Sequence, residues 1–74
     1  MGWIKTPNQT SEEIFQAVIK ERPHWDGRIG GSSSAYEHFS DYLRDNFDIT
    51  LRQCDEVCGM LKAHYNIKKF YANE

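Results

Sequence analysis

Three apolar stripes along the chain each begin with a serine or threonine that is followed, three residues later, by a glutamate or glutamine: Thr10 with Glu13, Ser34 with Glu37, Thr50 with Gln53. In such a pair the hydroxyl accepts from the N–H of the third helical residue. The acid or amide reaches back to the N–H of the capping residue, so two orphan donors of a helix start are satisfied together. Each pair here runs into apolar residues at a three-to-four spacing, the period of a one-sided helix. Three helix starts in a chain of 74 residues leave room for little else.

The first helix is expected at about 11–22, with Ile14, Phe15, Val18 and Ile19 as its apolar stripe and Pro23 as its stop. The residue before a proline is pushed out of the helical region, so the segment cannot continue. Residues 23–33 hold three glycines and read as a loop. The second helix is expected at about 34–46, carrying Tyr36, Phe39, Leu43 and Phe47 on one side and Asp41, Arg44 and Asp45 on the other. The third is expected at about 50–65. There Leu51, Cys54, Cys58, Leu61 and Tyr65 recur at spacings of three and four, with Val57 beside them. Lys62 and His64 fall near its end, where positive charge suits the helix dipole.

Residues 66–74 are open to several readings. Asn66 is placed to stop the third helix, leaving Ile67, Phe70 and Tyr71 to pack as a tail, and a short helix or strand fits equally. The fold expected is one all-α domain over residues 1–74, a small three-helix unit with a short C-terminal tail element. The alternative is a winged-helix-like α+β arrangement in which residues 66–72 pair with Trp3-Ile4-Lys5.

Composition narrows the function classes. The longest apolar run is Ala17-Val18-Ile19, too short for a transmembrane helix, and the first residues hold no apolar stretch of the kind a secretory signal needs. A cytoplasmic protein with Cys54 and Cys58 reduced is the expectation. Formal net charge is −2, which does not favour nucleic acid or an anionic membrane as partner. The charge is unevenly placed. Residues 37–56 hold Glu37, Asp41, Asp45, Asp48, Asp55 and Glu56 against Arg44 and Arg52, whereas the C-terminal stretch carries Lys62, Lys68 and Lys69. Domains of this size often gain stability from a disulfide, a metal or a second copy, so a homodimer or a bound partner is expected more often than for a larger domain.

No pattern specifies a reaction. Gly-x-Ser-x-Gly and His-Glu-x-x-His are both absent, and the nearest acid–base pairs, His24 with Asp26 and His38 with Asp41, lack a nucleophile beside them. The chain is read as not an enzyme, with no cofactor. Cys54 and Cys58 lie four apart and share a helix face, yet a structural zinc site needs two further ligands, and both cysteines fall in line with leucines, so they read as core and no metal is expected. Gly30-Gly31-Ser32-Ser33-Ser34 runs into a helix start and has an anion-binding look, but the lysine of a P-loop is missing and a capped connector is the plainer reading. Met1-Gly2 with Thr6 matches a loose lipidation pattern and Asn8-Gln9-Thr10 a glycosylation sequon, neither with supporting context.

Two readings of a binding function survive. The first is a small non-enzymatic protein-interaction module, an adaptor, regulator or inhibitor of a larger protein. Its candidate residues are Trp25 and Arg28 in the loop with Asp41, Tyr42 and Asp45 on the second helix, because exposed Trp, Tyr and Arg dominate protein-binding hot spots. The second is a nucleic-acid-binding regulator using a helix-turn-helix built from helices two and three, with Arg52, Gln53, Lys62, Lys68 and Lys69 as contacts. That match weakens where the motif is diagnostic. Arg44 stands at the usual small residue, Asp48 at the usual turn glycine, and Asp55 and Glu56 among the positions that should meet DNA.

Overall fold

The computed structural model describes residues 9–25 and 34–71. Three helices follow in chain order: α1 Ser11–Glu21, α2 Ala35–Asn46 and α3 Leu51–His64. Each lies within one or two residues of its expected span, the difference being that the capping residue stands just outside the helix. Among the described residues there is no strand. Residues 66–71 form a turn and an irregular segment with bends, so the winged-helix alternative does not hold there, and its other half, Trp3-Ile4-Lys5, lies outside the described residues.

The caps are built as their sequence implies in α1 and α3. Thr10 and Glu13 bond reciprocally at 3.1 and 2.8 Å, and Thr50 and Gln53 at 3.0 and 3.1 Å. In α2 the Ser34 hydroxyl accepts from the Glu37 N–H at 3.1 Å. The N–H of Tyr36 is satisfied from far along the chain, by the carbonyl of Phe70 at 3.1 Å.

The packing centres on α3. Both α1 and α2 pack against it, and they make no close approach to each other. The core is Ile14 and Val18 from α1, Ala35, Phe39 and Leu43 from α2, Ile49 from the turn, Cys54, Val57, Cys58 and Leu61 from α3, and Phe70 from the tail. Ala35, Cys54 and Cys58 are the small members, and the rings of Phe39 and Phe70, stacked at 6.4 Å, fill the layer with them. Leu51 departs from expectation. It continues the α3 stripe in sequence but is 55% exposed. As the first helical residue its side chain tilts toward the helix N-terminus, past the end of the layer that covers Cys54 and Cys58.

The end of α3 is a complete C-terminal cap. The Asn66 N–H donates to the Ala63 carbonyl at 3.2 Å and the Ile67 N–H to the Lys62 carbonyl at 3.0 Å. Asn66 itself has φ 56°. This is the Schellman arrangement, with asparagine in the left-handed position that glycine most often takes. It turns the chain back so that Phe70 reaches the start of α2.

Candidate functional site

The residues read as a protein-binding set come from the loop and from α2. Asp41 and Asp45 are both exposed and stand one turn apart on α2. His38 and Tyr42, also one turn apart, form the adjoining row, because positions three and four apart are neighbours on a helix surface. Trp25 is half-buried. Its ring lies 4.8 Å from that of Phe39 and 6.2 Å from that of His38. Tyr42 is half-buried as well, 6.4 Å from the Phe47 ring and with the Arg22 guanidinium 5.2 Å above its centroid. The fold thus brings Trp25, Asp41, Tyr42 and Asp45 along one side of α2, while Arg28 lies outside the described residues. Asp41 is paired with Arg44 one turn on. A pair so exposed contributes little to stability and leaves the carboxylate accessible to a partner.

The residues read as nucleic-acid contacts are not gathered in the same way. Arg52 is exposed at the start of α3, and Lys68 and Lys69 are exposed beyond its far end. A helix of 14 residues separates them, about 20 Å of rise. Lys62 is half-buried, its Nζ 5.7 Å from the Phe70 ring centroid and 6.0 Å from that of Tyr71. Gln53, expected among the base-reading side chains, is buried. Its amide oxygen accepts from the Thr50 N–H at 3.1 Å and its Nε2 donates to the Gln9 carbonyl at 2.6 Å. The amide is therefore occupied in holding the entry to α1 against α3. Asp55 and Glu56 stand exposed on the face of α3 that a recognition helix would present, and each is tied to a neighbouring element. Tyr36 Oη donates to Asp55 at 2.7 Å, and Ser11 Oγ to Glu56 at 2.7 Å.

The titratable groups with a displaced pKa cluster at the seam of α2 and α3. Tyr36 is held well above the ordinary tyrosine range, first because its hydroxyl donates to the Asp55 carboxylate, then by burial and by the nearby thiols. Burial also raises Tyr65, whose hydroxyl donates to the Arg22 carbonyl. Cys54 and Cys58 are both buried and unbridged. The neighbouring Cys58 and Ser40 side chains hold Cys54 down at about 7 against the opposing effect of burial. The neighbouring Cys54, reinforced by burial, pushes Cys58 up. Both thiols lie under a closed core and are shielded from solvent reactants. Among the described residues no three His, Cys, Asp or Glu side chains are gathered as a metal site, and no helix is long and apolar enough to cross a membrane.

Two features escaped the sequence reading. Phe70, expected to pack as part of a tail but not placed in the core, is a core residue at 1% exposure. Tyr36, assigned to the α2 stripe, is the junction of α2, α3 and the tail through its N–H, its hydroxyl and its ring. The pairing of Ile67 with Phe70 at a three-residue interval was the available signal, but it carries no information about where the tail docks. Comparison of the chain with family models, with characterised proteins and with solved structures finds no match.

Proposed function

We propose that this chain is a small non-enzymatic protein-interaction module that binds a basic surface on a larger partner, as an adaptor, regulator or inhibitor. One observation carries the reading: Asp41 and Asp45 project from α2 in a row beside the half-buried rings of Trp25 and Tyr42. Anchoring aromatics next to exposed like charges are what a docking face needs. The rings supply contact area that can be desolvated, and the carboxylates steer a cationic partner and set the orientation. The acidic residues of α3 are tied to other elements through Tyr36 and Ser11, whereas Asp41 pairs only within α2, with Arg44, and stays exposed.

The test compares the wild-type chain with the double variant Asp41→Lys, Asp45→Lys as bait in nuclease-treated and untreated extract. Circular dichroism first establishes that both are folded. A protein retained by the wild type in both extracts and lost by the variant is the expected result. Association should also be slowed in the variant, with a weaker dependence on salt. Retention that disappears with nuclease, and is abolished instead by neutralising Arg52, Lys68 and Lys69, would overturn the proposal in favour of nucleic-acid binding. That outcome would come with an affinity falling steeply as salt rises. Equal retention by wild type and variant would remove the acidic row as the docking face.

A further inference from the structure

We propose that residues 67–71 are an exchangeable strap, and that this chain forms a dimer by trading the strap between two copies, with Asn66 as the hinge. The partner is a second copy, and the surface it docks on is the one the strap already occupies within a single chain.

Three observations combine. The first is how the strap is held. Phe70 is buried, its ring edge-on to Tyr36 at 5.9 Å and stacked with Phe39 at 6.4 Å. Its carbonyl accepts the Tyr36 N–H at 3.1 Å, and Tyr71 lies against Tyr36 with ring centroids 5.4 Å apart. This is a discrete docking of one segment onto the first turn of α2. Nothing in it requires that the segment and the helix belong to the same chain.

The second is the hinge. Only the left-handed conformation of Asn66, φ 56°, turns the strap back onto its own α2. Asparagine tolerates that conformation less well than glycine does. Were Asn66 to take the right-handed helical conformation, α3 would run on. Residues 66–71 contain no proline or glycine to prevent this. The strap would then be carried away from its own core.

The third is the consequence for the core. A chain that releases its strap uncovers the place of Phe70 and leaves the Tyr36 N–H without its acceptor. The identical strap of a second copy restores both. Such an exchange is reciprocal, closes with two-fold symmetry and re-forms the strap's contacts on α2, while the two cap bonds of Asn66 and Ile67 give way to a continued helix at the hinge. Mass action then favours the exchanged form as concentration rises.

The experiment uses the full chain with Glu37→Cys and Lys69→Cys, exposed positions beside the Tyr36–Phe70 backbone bond, and a short bis-maleimide. Cys54 and Cys58 are buried and compete poorly for the reagent. In the closed chain the bridge is intramolecular and the band keeps the mass of one chain. In the exchanged dimer it joins two chains. Three hinges are compared over a concentration series reaching the millimolar range: Asn66 itself, Asn66→Gly, which eases the left-handed turn, and Asn66→Ile, whose branched side chain opposes it. The expected result is a two-chain product that grows with concentration for Asn66, is at least tenfold reduced in Asn66→Gly, and predominates in Asn66→Ile at the lowest concentration. If Asn66→Ile fails to fold, the contrast between Asn66 and Asn66→Gly decides. A single-chain bridge throughout the series with the Asn66 hinge would overturn the proposal. So would a two-chain product equally abundant in Asn66→Gly, because that association would not pass through the hinge.

Discussion

Tyr36 shows how much one side chain can carry in a domain this small. Its N–H is capped by the tail, its ring packs on Phe70 and Tyr71, and its hydroxyl donates to Asp55 at 2.7 Å. That last bond has a pH signature. An unfolded tyrosine ionises near 10, and in the fold Tyr36 keeps its proton to higher pH because the hydroxyl is held by a carboxylate. A raised folded value means that the associated stability is complete below about pH 10 and is lost as pH climbs above it. Urea midpoints should therefore fall above pH 10 in the wild type and fall less in Tyr36→Phe. Near neutral pH that variant should lose about 0.5–1.5 kcal/mol, the usual net worth of one hydrogen bond. An absorbance titration of the phenolates should lose its latest step in the variant. Identical alkaline profiles for the two proteins would mean that the Asp55 bond does not control this titration.

At the scale of the element, α3 contains one position that works against it. Gly59 is exposed in the helix interior, and a Cβ placed there meets nothing within 4 Å. Gly59→Ala should stabilise the domain by about 0.5–1 kcal/mol, because alanine loses less backbone freedom on entering a helix. Thr50→Ala should do the opposite and cost about 1 kcal/mol, since the hydroxyl that accepts the Gln53 N–H would be gone. Chemical denaturation with a common m-value measures both. A destabilised Gly59→Ala would show that the open face of α3 is covered in solution, which a self-associated form would explain. The α3 sequence illustrates the limits of periodicity at this scale too. Its spacing of three and four names Cys54, Cys58 and Leu61 correctly as core, and it also names Leu51, which the helix end leaves uncovered.

For the molecule as a whole, the strap matters as much as any helix. Phe70→Ala removes a buried ring and should cost about 3–5 kcal/mol. A domain of this length has only about 4–11 kcal/mol in total, so the loss is most or a large part of its stability. The variant should melt well below the wild type, and its far-ultraviolet helix signal should shrink even at room temperature. An unchanged melting temperature would mean that the tail is not part of the cooperative core.

Local chemistry determined most of the architecture. A hydroxyl three residues ahead of an acid or amide, followed by apolar residues at helical spacing, acts through bonds within one turn, so Thr10, Ser34 and Thr50 mark the starts of α1, α2 and α3 without reference to anything distant. Asn66 as the stop of α3 belongs to the same class. The assembly of Asp41, Tyr42 and Asp45 on one side of α2 also follows from helical period alone. The remainder was decided by tertiary structure. Gln53 is an exposed amide by composition and an internal strut in the fold, because Gln9 lies across from it, 44 positions away. Phe70 has only its three-residue interval from Ile67 as a local signal, yet it becomes core because the turn at Asn66 aims it at the open first turn of α2. Contacts between residues far apart in the chain depend on how whole elements meet, and no local pattern of residues encodes that.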